Sequence, residues 1–224
     1  MLAQTDIPSP SLRLALVLVG LASWYGTQAL LKHRPTGTGV IGDRLHALTA
    51  RAFAFLSAHP AWANRLLAVS SLGIDALGVF VLTQSIVGPS VRPFLGLFLL
   101  FSLRQLCQAL CALPPPEGMI WRSPGVPSLL VTYGVANDLF FSGHTALAVY
   151  GAIELGRWGG PLWALAGALL ALFEAAVVIV LRAHYTMDVF AGAVTAFAAA
   201  VVAGWLAPGC DAALVRLGAI LFGG

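Results

Sequence analysis

The sequence predicts an all-α membrane protein, a six-transmembrane-helix bundle forming a single domain over 1–224. Three observations lead there. Of 224 residues, 59% are hydrophobic and 9% are charged, with a mean hydropathy of +0.89, whereas a soluble domain carries about a quarter charged residues. So few charges cannot clothe a globular surface in water, and lipid must be the solvent for most of the chain. The apolar residues gather into six runs, each close to the ~20 residues that cross a ~30 Å hydrocarbon core. No internal repeat or soluble domain interrupts them. The net charge of +3 is small and its basic residues are scattered, which excludes the basic stripe of a nucleic-acid binder.

The elements follow in chain order. Residues 1–10 are polar and contain prolines, and Arg13 precedes an apolar run to about Leu31 that makes up most of an expected span over 11–31. That run exceeds the ~7–15 residues of a signal-peptide core and reads as a retained first span. A polar loop over 32–63 carries Arg34, Asp43, Arg44 and Arg51; within it, Asp43 to Leu56 has helical apolar spacing and is expected to lie along the membrane surface. Further spans are expected at 64–88, 93–113, 142–159, 161–181 and 187–206. A second polar loop, Pro114 to Asn137, holds three consecutive prolines, Glu117 and Arg122. The apolar tail from Ala212 to Phe222 is short for a crossing and suits an interfacial helix. Trp24, Trp62, Trp121 and Trp163 fall near span ends, as interface anchors do. Cys107 and Cys111 read as small core residues, Cys210 stands alone, and no metal-ligand cysteine spacing is present. An even number of spans puts both termini on one face. It also returns His144, opening span four, and His184, following span five, to the other face at one depth.

Two segments carry the chemistry: Asn137-Asp138-Leu139-Phe140-Phe141-Ser142-Gly143-His144-Thr145 and Arg182-Ala183-His184-Tyr185-Thr186-Met187-Asp188-Val189. Ionisable residues at a membrane boundary are costly and functional by default. On a helix, His184 and Asp188 would face the same way. A carboxylate there fixes one ring nitrogen and leaves the other free to attack. Ser142 suits a helix N-cap, Gly143 gives access to backbone, and a helix N-terminus binds phosphate oxygens. His144 in that first turn could exchange a proton with a lipid hydroxyl, with Asp138 orienting it from the loop. Each feature alone also fits a structural part: an interfacial histidine, a plain cap, a local His–Asp pair. Asp75, Arg104 and Glu174 fall inside spans, where Arg104 either pairs with one of the carboxylates or lines a headgroup cavity.

Phe141-Ser142-Gly143-His144-Thr145 with His184-Tyr185-Thr186-x-Asp188-Val189 resembles the signature pair of the sphingomyelin synthase family. The plant phosphatidylcholine:diacylglycerol cholinephosphotransferases carry a similar pair. Both groups belong to the type 2 phosphatidic acid phosphatase (PAP2) superfamily. Arg92 to Pro116, with Arg104 and the Leu113-Pro114-Pro115-Pro116 end, is similar to the family's third span and the loop after it. The likeness covers roughly Arg92 to Ala200, within a catalytic core over 92–206. It implies a PAP2-like bundle, with His184 as nucleophile, Asp188 as its orienter and His144 as the proton carrier. Asp138 matches the acidic residue before the family's Ser-Gly-His, and Glu117 would support from its loop. Ser142, Gly143, Arg182 and Arg104, with Arg122 as a further contact, would hold the headgroup phosphate. The common phosphatases of the superfamily have a lysine where this chain has Ser85 and an arginine where it has Val178. Without that clamp for a phosphomonoester dianion, a phosphodiester headgroup is the better substrate.

The expected activity is therefore transfer of phosphocholine or phosphoethanolamine from a phospholipid to diacylglycerol or ceramide through a phosphohistidine. The partners are membrane lipids, no metal or cofactor is implied, and homo-oligomerisation stays open. Loop charges place Lys32, Arg34, Arg44, Arg51, Arg65, Arg122 and Arg182 on the catalytic side, against Arg13, Arg92, Arg157 and Arg216. Positive-inside reasoning then turns the site to the cytoplasm, whereas the resemblance turns it to the exoplasmic side, which is the expectation adopted. Hydrolysis by the same residues, as a lipid phosphatase or phospholipase C, and transport along Asp75, Arg104 and Glu174 are the alternatives.

Overall fold

Four helices open on a proline in their first two positions, where a missing N–H costs nothing and the fixed φ favours the helix. These prolines are Pro10, Pro60, Pro93 and Pro161. A computed structural model describes residues 9–33, 38–133 and 139–222, and all regular structure in them is helical. In order, the elements are α1 (Pro10–Leu31), α2 (Arg44–Leu48), α3 (Ala50–Ala58), α4 (Pro60–Val87), α5 (Arg92–Leu110), α6 (Gly143–Gly159), α7 (Pro161–Val180) and α8 (Thr186–Phe222). Asp43 to Leu56, expected to be helical, folds as α2 and α3.

Among the described residues, five helices are long and apolar enough to cross a membrane: α1, α4, α5, α7 and α8. The expected fourth span, α6, has 17 residues, about 26 Å of rise against a ~30 Å core. It forms a tight hairpin with α7 through Gly160 and packs on α5 and α8. The tail differs from expectation. It is no separate interfacial helix, because α8 continues unbroken for 37 residues, about 55 Å. Its extension is tied down where Asp211 accepts from Ser90 Oγ (2.6 Å) and Val91 N (2.8 Å) in the α4–α5 turn.

Buried charge holds the bundle together at the face opposite the histidines. Arg13 on α1 is 1% exposed and donates to the Ser85 carbonyl (Nε, 2.9 Å) and the Ser90 carbonyl (Nη2, 2.9 Å), with Gln84 and Gly88 also accepting. These lie around the C-terminus of α4, where carbonyls lack helical partners and carry the negative end of the dipole. Arg92 on α5 pairs with Glu154 on α6, both buried. The in-span carboxylates have partners other than the Arg104 first expected. Glu174 accepts from Ser70 Oγ (2.5 Å), and Asp75 accepts from the backbone N–H groups of Leu129 (2.8 Å) and Leu130 (2.9 Å). The second polar loop therefore dips beside the middle of α4. Irregular backbone is tolerated at such depth only where protein satisfies it.

Candidate active site

The site is assembled from two helix starts that touch. After α7 the chain curls back: Ala183 N (2.8 Å) and His184 N (3.2 Å) both donate to the Val178 carbonyl, and Arg182 takes φ 54°. His184 thus sits in a short link before α8. Asp188, in the first turn of α8, accepts from Tyr185 N through Oδ2 (2.9 Å), the reach-back half of a capping box. The same oxygen lies 3.5 Å from His184 Nδ1. The two residues do meet, though across a helix start and not along one helix face as their spacing suggested.

Ser142 is the N-cap of α6, its Oγ accepting from Thr145 N (3.3 Å), as expected. Its own N–H donates to the Asp188 carbonyl (3.0 Å), a direct bond between the two motifs. Gly192 on α8 permits this approach, because a Cβ there would lie 2.7 Å from the Ser142 carbonyl oxygen. Gly143 likewise admits Arg104, whose Nε would stand 3.0 Å from an added Cβ. That Nε donates to the Phe141 carbonyl (2.9 Å), which lays the guanidinium against the start of α6.

His144, His184, Arg104 and Gly143 line one cavity, walled also by Trp24 and Trp121. Both imidazoles are buried, and among the described residues His144 Nε2 and His184 Nδ1 have no hydrogen-bond partner. Trp121 meets His144 edge-on (4.9 Å, 84°) while its Nε1 donates to the Thr132 carbonyl (3.0 Å). It is a wall of the site, whereas Trp62 and Trp163 are half-exposed in the manner of anchors.

Other expected contacts do not converge here. Arg182 turns away from the cavity, donating to the Glu117 carbonyl (2.9 Å) and covering the Phe53 ring at 3.9 Å. Glu117 itself is exposed, so its carboxylate does not reach the site. Arg122 bonds Asn64 at the surface (3.1 Å). Asp138 lies outside the described residues. No cluster of three metal-ligating side chains occurs among the described residues.

Two residues missed in the sequence support the link from behind. Asp43 caps α2, accepting from Leu45 N (2.9 Å) and His46 N (3.2 Å), and also accepts from Thr186 N (2.6 Å) and Thr186 Oγ1 (2.7 Å) at the start of α8. Burial would raise its carboxyl, but the donors from Thr186 and His46 outweigh this and hold it below its ordinary range. His46 is buried, with Nε2 2.9 Å from the His184 carbonyl oxygen and its ring 5.7 Å from that of Tyr185. Tyr185 in turn donates to the Pro114 carbonyl (3.1 Å). The only sequence signal for this brace was the amphipathic pattern of 43–56.

The model for the family described as AtPDCT1/2 matches residues 43–205, from the Asp43 brace through both histidine motifs. No curated protein and no solved structure matches the chain.

Proposed function

The chain belongs to the AtPDCT1/2 family of phosphatidylcholine:diacylglycerol cholinephosphotransferases, and from that premise we propose that His184, His144 and Asp188 pass phosphocholine between two glycerolipids through a phosphohistidine. The observation that carries this reading is the single cavity lined by both imidazoles, with their chain segments bonded through Ser142 and Asp188.

In the first half-reaction Nε2 of His184, the ring nitrogen that does not face Asp188, attacks phosphorus, and the bond from phosphorus to the glycerol oxygen breaks. His144 gives that oxygen its proton, releasing diacylglycerol. In the second, His144 takes the proton of an incoming diacylglycerol hydroxyl, whose oxygen attacks phosphorus as the phosphorus–nitrogen bond breaks. Phosphohistidine formation puts positive charge on the His184 ring beside Asp188. The 3.5 Å gap then closes toward the 2.7–2.9 Å of a charge-assisted hydrogen bond. Arg104 and the amides at the start of α6 receive the phosphate oxygens. A phosphodiester carries a single negative charge, which this sparse set of donors suits.

Diacylglycerol is the proposed acceptor, with ceramide as the comparison in the test. We further infer a PAP2-like bundle in which α6 is the fourth of six crossings, with its catalytic end opening to the exoplasmic leaflet.

The test supplies purified protein with headgroup-labelled phosphatidylcholine and either diacylglycerol or ceramide. Label moving to a new glycerolipid is expected, together with acid-labile label on the protein. His184→Ala is expected to abolish both, and Asp188→Asn to slow transfer by roughly 10²- to 10⁴-fold, the range for losing an acid–base partner or its orienter. Free phosphocholine as the main product would make the protein a hydrolase. Near-normal turnover in both variants would overturn the assigned roles.

A further inference from the structure

We propose that the apolar groove between α1, α4 and α5 holds one acyl chain of the reacting glycerolipid, a reading that rests on the headgroup-transfer function. The groove is lined mostly by apolar side chains. It shares Trp24, Phe101, Leu130 and Leu147 with the catalytic cavity, so the two spaces have a common wall. At its far end Val17 and Phe94 pack with Val91 and form a floor. Along α5 it extends from Gln105 to Phe94. Eleven residue steps make this about 16 Å.

The chemistry at the mouth selects the occupant. A glycerolipid whose glycerol oxygen is at the phosphorus has its ester-linked chains starting within the cavity, and they must leave it through an apolar wall. The groove begins at that wall. Its long side opens outward, where Phe98 is 47% exposed and Ser23 and Ser102 are exposed, so a chain can slide in laterally from the bilayer. A soluble headgroup ester would leave the groove unused.

Two measurements test this. In the first, Ser102→Trp narrows the groove from its outer side. The ratio of kcat/KM for dioleoylglycerol over dihexanoylglycerol is expected to fall about tenfold, the effect of displacing roughly two methylenes. An equal loss with both acceptors, or an unchanged ratio, overturns the proposal. In the second, a diacylglycerol with a diazirine at its chain terminus is photolysed on the wild-type protein in nanodiscs. Labelling is expected at the floor, on Val17, Phe94 and their neighbours, and excess dioleoylglycerol is expected to compete it away. Labelling elsewhere, or labelling that dioleoylglycerol does not reduce, means ordinary bilayer contact and overturns the proposal. Crosslinking needs no turnover. Loss of all transfer in the wild type would sink the headgroup reading while the groove was still tested.

Discussion

At the scale of single residues, His144, His184 and Asp188 stood out in the sequence because such groups are costly in lipid, and the fold brings both histidines to one cavity with Asp188 beside His184. Their brace did not. Asp43 bonds Thr186 across 143 positions and His46 approaches the His184 carbonyl across 138, and no local periodicity reports such pairs. Arg104 was half legible: a charge inside a span announced a role, but its partner, the Phe141 carbonyl, is a backbone atom without a sequence signature. From this contact we propose that His46 is a positioning residue. His46→Ala is expected to lower kcat severalfold with little change in KM, and His46→Gln, which keeps a donor for the carbonyl, to restore most of it. A purely structural role would instead lower thermal stability without that split. Asp43→Ala removes caps from two helices, at about 1 kcal/mol each, readable as a lowered melting temperature in detergent. The sign of the pH effect follows from its depressed carboxyl. Its stabilisation is complete at neutral pH and is lost only as pH falls below the usual carboxylate range. Asp43→Ala should lack that acid-side loss.

Elements were read well where hydropathy alone decides and poorly where a distant contact sets the boundary. The starts and ends of α1, α5 and α7 fall within a few residues of expectation, helped by prolines and by the polar turns between them. The end of α8 did not, since nothing local to 206–212 reveals that Asp211 would bond the α4–α5 turn. The start of α6 is set by its neighbour: Ser142 N is claimed by the Asp188 carbonyl, and only a glycine at 192 lets the two helices come close enough. Gly192→Ala forces backbone against backbone, with an expected cost of about 1–3 kcal/mol and a larger fractional loss of transfer, since the displaced atoms hold both imidazoles. Gly204→Ala on the same helix meets nothing within 4 Å and is expected to be neutral or slightly stabilising, since alanine is the better helix former by up to about 1 kcal/mol. Melting curves and transfer rates of the two variants make the comparison. Equal behaviour would detach the site from this contact.

Across the whole molecule, helix rise sets the depth of the site. Arg104 lies twelve residues above the start of α5 and His144 fifteen from the end of α6, about 18 and 22 Å from the opposite face. In a ~30 Å core these two positions therefore lie some 8–12 Å below the near surface. This explains why α6 is short: its N-terminus has only to reach the recess, where the 111–133 loop, α2 and α3 cover it. The cover also bears on orientation. Arg44 and Arg51 belong to the segment braced onto the site through Asp43, and Arg182 is engaged by Phe53 and Glu117. These arginines therefore lie on the same side of the bundle as the candidate site. A cysteine at position 122, on the exposed catalytic loop, and one at 216, on the α8 extension, separate the two arrangements. In intact cells an impermeant maleimide is expected to label Arg122→Cys and to reach Arg216→Cys only after permeabilisation. The reverse pattern would turn the cavity to the cytoplasm, and the lipids it exchanges would then come from the inner leaflet.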